Sequence, residues 1–126
     1  MNYYLMQGPG LPIGIFHHAI VEIGNEKVML IGGRKRLDIS AQTYIYNKTD
    51  NDWLFGPLMI QAREDHAAGI LTDEATMEKF VLVTGGMDSY SKELKSTEIL
   101  RQDMWSSGNN LFSMRLSLAE LSYSNW

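Results

Sequence analysis

Short apolar runs separated by polar turns fill most of this chain, and their order repeats. His17 to Ile23 is apolar and ends at Gly24-Asn25, a turn signal. Lys27 to Ile31 follows, which predicts a hairpin around Gly24-Asn25-Glu26. Gly32-Gly33 is expected to stop this second strand, and Arg34 to Ser40 reads as a polar loop. Gln42 to Asn47 carries Thr43, Tyr44, Ile45 and Tyr46, good β-formers on alternating faces. Lys48 to Asp52 is a turn, and Trp53 to Phe55 is a short strand closed by Gly56-Pro57. The same order returns as strands at His66 to Leu71, Lys79 to Thr84, Thr97 to Leu100 and Met104 to Ser106. The link Thr72 to Glu78 is longer than Gly24-Asn25-Glu26, a cheap place for an insertion.

The repeat extends to single residues. Val28-Met29-Leu30-Ile31-Gly32-Gly33 returns as Phe80-Val81-Leu82-Val83-Thr84-Gly85-Gly86. Gly8-Pro9 returns at Gly56-Pro57, His18-Ala19 at His66-Ala67, and Trp53 at Trp105. The unit is about fifty residues long. Residues that recur in register are framework. The glycine pairs mark backbone at φ > 0 or in close approach, which only glycine adopts without a Cβ clash. Tyr46 and Trp53 would bracket a turn and pack between sheets. Leu100 takes the tyrosine's place before Trp105, a departure from the pattern. Flanking these units, Asn2 to Met6 reads as the outer strand of a preceding unit. Leu111 to Leu121 reads as the start of a third, either strand or short helix.

These stretches (HAIVEIGNEKVMLIGG with TYIYNKTDNDW, and QAREDHAAG with FVLVTGG and STEILRQDMW) resemble the kelch-repeat family over about residues 8–111. The resemblance implies an all-β chain, a segment of a kelch-type β-propeller with about two four-stranded antiparallel blades. Its units are 8–55 and 56–107, with a partial outer strand at 1–7 and the start of a third unit or an irregular tail at 108–126. Gly32, Gly33, Tyr46, Trp53, Gly85, Gly86 and Trp105 are then its structural signature. The His17–Ile23 and His66–Leu71 strands would be innermost and the Trp53 and Trp105 strands outermost. Two blades leave two open edges. The expectation is therefore a piece of a longer chain or self-association, with marginal stability for residues 1–126 alone.

Kelch propellers dock protein partners on the loops that follow the glycine pairs and enter the inner strands. Here these are Arg34, Lys35, Arg36 and Asp38, then Met87, Asp88, Ser89, Tyr90 and Lys92, with Arg63 on the same side. Arginine and tyrosine are typical interface anchors. We therefore expect a protein–protein interaction scaffold, with Arg34, Lys35, Arg36, Arg63 and Tyr90 as candidate partner-binding residues. It would serve as a substrate-recognition part of a larger adaptor. The alternatives are an incomplete piece of a propeller enzyme and a truncated product without a function of its own. The apolar make-up of His17 to Val21 and His66 to Ile70 favours a packed scaffold over an enzyme.

Composition narrows the field further. Net charge is −4 over 126 residues, with no basic patch, so nucleic acid and acidic membrane surfaces are not expected partners. No run of about 18 apolar residues exists. The chain has no cysteine, which excludes disulfides and thiolate metal sites and fits a reducing, cytoplasmic compartment. It also excludes the radical copper oxidases among kelch-like propellers, which need a cysteine cross-linked to tyrosine. Asn47-Lys48-Thr49 matches the N-glycosylation pattern and keeps a secreted location open. Glu64-Asp65-His66 with Asp73 and Glu74 is a weak metal candidate, because adjacent strand residues point to opposite faces. His17-His18 meets the same objection. There is no G-x-S-x-G elbow and no phosphate-loop lysine. No cofactor, metal or catalytic residue is expected.

Overall fold

The computed structural model describes residues 14–108, which form two four-stranded antiparallel sheets and no helix longer than a turn. The first sheet is β1 (Ala19–Gly24), β2 (Lys27–Lys35), β3 (Asp38–Asn47) and β4 (Asp52–Phe55), paired in chain order. The second is β5 (Ala67–Thr72), β6 (Lys79–Thr84), β7 (Thr97–Arg101) and β8 (Met104–Ser107), paired the same way. Each is a meander, in which every strand returns beside the one before it. The expected strand at Asn2–Met6, the strand or short helix at Leu111–Leu121, and the boundaries at 1–7 and beyond Gly108 lie outside the described residues.

Turn chemistry sets the registers. Asn25 and Glu26 both hold positive φ, 50° and 63°, between the paired Gly24 and Lys27. Gln102 and Asp103 do the same at 50° and 62° between Arg101 and Met104. Such two-residue turns match the twist of the strands they join. Tyr46 pairs with Trp53, as Leu100 pairs with Trp105, so both units bracket their last turn with the expected residues.

The first glycine pair does not end its strand. Pairing slips between Ile31 and Gly33, then resumes with Gly33 opposite Ser40 and continues to Lys35 opposite Asp38. The extra residue lies on β3, where Ala41 and Gln42 stand opposite Gly32, and Gly32 and Gly33 take positive φ, 61° and 102°, where β2 meets this bulge. The segment Arg34 to Ser40, expected as a loop, is therefore a hairpin with Arg36-Leu37 at its tip. In the second sheet β6 does stop at Thr84, before Gly85-Gly86.

The core lies between the sheets and is built from opposite faces of the two. On the first sheet Val21 pairs with Met29 and Met29 with Ile45, so these side chains share a face with Ile31. They cluster with Val81, Val83, Leu100 and Trp105 of the second sheet and with Met59 of the connector. With the glycine pairs aligned, Val81 and Val83 correspond to Val28 and Leu30, which lie on the other face of β2. The contact is head to tail, joining unlike faces. The far face of the second sheet carries its own buried cluster, Leu71, Phe80, Leu82 and Ile99.

The two tryptophans differ. Trp105 is buried in the inter-sheet core, and its indole N–H donates to the Pro57 carbonyl at 3.1 Å. Trp53 lies half-buried on the far face of the first sheet, its ring 5.2 Å from that of Tyr46. Only Trp105 packs between the two described sheets, because the equivalent face of the first sheet, which carries Tyr46 and Trp53, is turned away from the second.

Candidate functional site

The glycine-pair ends of β2 and β6 come together where the chain enters each sheet. Phe16 bonds Arg34 in both directions, at 3.0 and 2.7 Å, and Glu64 bonds Met87 the same way, at 3.0 and 2.9 Å. The residue after each bridge holds a left-handed backbone, His17 at φ 56° and Asp65 at 55°. A Cβ on Gly33 would meet the Phe16 carbonyl at 2.7 Å and the backbone of His18 at 3.1 Å. A Cβ on Gly86 would collide with the Glu64 carbonyl and with His66. The second glycine of each pair is thus required by close approach as well as by its φ.

Charged groups tie these two entries together. Arg34 holds Glu64 through two parallel bonds, Nε to Oε2 at 2.9 Å and Nη2 to Oε1 at 2.7 Å. His17 Nδ1 lies 3.3 Å from Glu64 Oε2 and 3.5 Å from Asp65 Oδ1. The Asp65 N–H donates to the His17 carbonyl at 3.0 Å. The Arg34 guanidinium, by its hydrogen bonds above all, holds the Glu64 carboxyl below the usual carboxylate range. The fold therefore gathers His17, Glu64 and Asp65, whose ligand atoms fall within 4.8 Å of one another. Local spacing could not reveal this, since the residues come from two units. A cation placed here would share Glu64 with a guanidinium that already uses both carboxylate oxygens. We assign the cluster as the ion-pair network that joins the sheets. Asp73 does not join it: it folds its own turn, its carboxylate accepting the Ala75 N–H at 2.9 Å.

Two candidate binding residues are committed internally. Arg63 is a correction to the sequence reading, because it is fully buried. Its Nη2 pairs with Glu98 at 2.9 Å and reaches Ser96 Oγ at 3.0 Å, and its Nη1 donates to the Gly85 and Ser96 carbonyls. Glu98 in turn accepts the N–H groups of Ile60 and Gln61. This buried pair pins the connector to β7 and to the segment after Gly85. Neither Arg63 nor Glu98 was distinguishable from a surface charge in sequence. Arg34 is occupied by Glu64 and is 29% exposed.

His66 links the sheets directly. Its Nε2–H donates to the Ile31 carbonyl of β2 at 2.8 Å, and its Nδ1 is buried without a partner. Burial, joined by the neighbouring Arg63 charge, lowers its pKa to about 4. His18, its counterpart in the first unit, is also pushed down by burial.

What remains free is the outer part of the same end. Lys35 is half-buried and Arg36 is exposed at the β2–β3 tip. Tyr90 is 89% exposed on the loop after Gly86. Leu37, also 89% exposed, was not singled out in sequence, where it is a lone apolar residue in a charged stretch. That isolation was the only available signal. At the opposite end, Glu22, Ile23, Gly24, Ile70, Lys79, Phe80 and Val81 line an open cleft of about 330 Å³.

No protein-family model matches this chain, and no curated protein matches it. Among the described residues, no helix is long and apolar enough to cross a membrane.

Proposed function

We propose that this chain is a kelch-type propeller segment acting as a protein–protein interaction scaffold, its partner held by the loops at the glycine-pair end. The head-to-tail contact supports the propeller part: one face of the first sheet meets the unlike face of the second, the relation that a radial repeat applies from unit to unit. The exposure of Leu37 and Tyr90 beside a network of fixed ion pairs carries the binding part. Loops on a rigid frame are the usual carriers of recognition. Bulky side chains left 89% exposed there bury area on binding at no cost to the fold. The role is non-enzymatic, and recognition of a substrate for a larger adaptor is its natural setting.

Site-directed photocrosslinking tests this reading. A benzoylphenylalanine replaces Leu37 or Tyr90 on the recognition end, or Met77, also exposed, at the other. The expected result is one protein captured from both loop positions and not from Met77. Capture from all three alike, or from neither loop, overturns the proposal.

A further inference from the structure

Two histidines close the joint between the sheets, each seated on a glycine. A Cβ on Gly32 would meet the His66 ring at 2.8 Å, so the imidazole occupies the space that this glycine leaves. The His66 Cβ packs in the same way against Gly86, and the His18 Cβ against Gly33. From this seat His66 Nε2–H reaches across to the Ile31 carbonyl at 2.8 Å. The Nδ1 atoms of His66 and His18 are both buried, with no hydrogen-bond partner among the described residues.

The groups around His66 give a second proton little support. Arg63 of the connector and His18 at the entry to the first sheet both oppose a positive charge there. The carboxylates of Glu98 and Glu64 are already held by Arg63 and Arg34. Asp65 favours the proton, but it is exposed and lies 3.5 Å from His17. A proton on Nδ1 would therefore be a buried donor with no acceptor, beside a guanidinium. In water the same ring accepts the proton readily. Proton uptake is thus linked to any motion that exposes the rings.

The joint is also closed by backbone bonds, Gly33 N–H to the Arg63 carbonyl at 2.9 Å and Asp65 N–H to the His17 carbonyl at 3.0 Å. Breaking such contacts at one end of an interface costs less than unfolding the sheets. We infer that His66 and His18 form an acid-operated latch: proton uptake swings the rings into water, parts the two strand entries and loosens the loops that carry Leu37 and Tyr90. As regulation this rests on the loop-end reading above, a partner held near neutral pH being let go in acid. The sign follows from burial. The latch is shut above pH 6.5 and opens as pH falls toward 4, below which the closed form takes up the proton too. His18, pushed down by burial, acts in the same sense.

Hydrogen exchange on the full chain without a partner, at pH 7 and pH 5, tests the latch. Protection is corrected for the intrinsic exchange rate at each pH. The Gly33 and Asp65 amides are expected to be less protected than those of Leu30 and Leu82 in the central strands. Their protection should fall about thirtyfold at pH 5, from the separation between a pKa of 6.5 in water and about 4 in the closed joint. His66→Gln keeps a donor for the Ile31 carbonyl without a titrating ring and should remove most of the fall. His18→Gln should remove part of it, and circular dichroism checks that both variants fold. Unchanged protection at pH 5, a fall that survives both substitutions, or protection equal to that of Leu30 and Leu82 overturns the inference. Partner capture from Leu37 at pH 7 without any opening at pH 5 refutes the latch and leaves the loop-end reading standing. Opening at pH 5 with no capture at pH 7 refutes that reading and leaves the latch.

Discussion

At Gly86 three demands meet on one residue. Its φ is 88°, a Cβ would collide with the Glu64 carbonyl, and His66 lies beside it. Gly86→Ala is expected to cost about 2–4 kcal/mol, from left-handed strain plus displacement of the Glu64 strand entry. Gly24→Ala has a comparable φ of 82° but open space around it, and should cost only about 1 kcal/mol. Urea denaturation of the two variants separates clash from strain; equal losses would show that the close approach is unimportant. His66 makes a second prediction at this scale. Its folded pKa of about 4 lies below the ordinary 6.5, so the folded state resists a proton that the unfolded chain accepts. Stability is complete above pH 6.5 and falls as pH drops toward 4, by roughly 3 kcal/mol in all. Glu64, held low by Arg34, adds its loss at more acid pH. His66→Gln keeps an N–H for the Ile31 carbonyl and should remove most of the slope between pH 6.5 and 4. An unchanged slope would assign it to other groups.

The β2–β3 hairpin shows how one element can carry strain in exchange for presentation. Arg36 occupies its tip at φ 56°, a conformation that suits glycine or asparagine. Arg36→Gly should therefore leave stability unchanged or raise it by up to about 1 kcal/mol, while weakening capture of the partner. Thermal melting and binding read the two effects separately. A variant that loses both would mean that the arginine holds the hairpin itself. That Arg34 to Ser40 forms paired strand was not legible in sequence. The stretch is polar and follows two glycines, which locally reads as a stop. The strand continues because β3 supplies one extra residue opposite Gly32 and Lys35 still finds Asp38 opposite.

Across the whole molecule, the two sheets are coupled through one core. Trp105 lies in it with residues of both sheets, whereas Trp53 packs on Tyr46 at the far face. Trp105→Ala is expected to cost about 3–5 kcal/mol and to melt both sheets in one transition. Trp53→Ala should cost about 1 kcal/mol, as its ring is already half in water. Two separate transitions in the Trp105 variant would show that the sheets fold independently.

Local order was written in the sequence. Alternating apolar positions, turn residues and the doubled glycines determined the strands, their meander order and the fifty-residue period, because each depends on neighbours a few residues apart. The position of Gly33 and Gly86 against the strand entries follows from the same local need for a missing Cβ. Which charges are free was decided only by tertiary structure. Arg34, Arg63 and Arg36 are alike in sequence, yet one is clamped by Glu64, one is buried against Glu98 and one faces water. Their partners lie far away along the chain and are brought near only when unlike faces of two sheets pack. Coulombic pairing and burial depend on distance in space, and the sequence records only distance along the backbone.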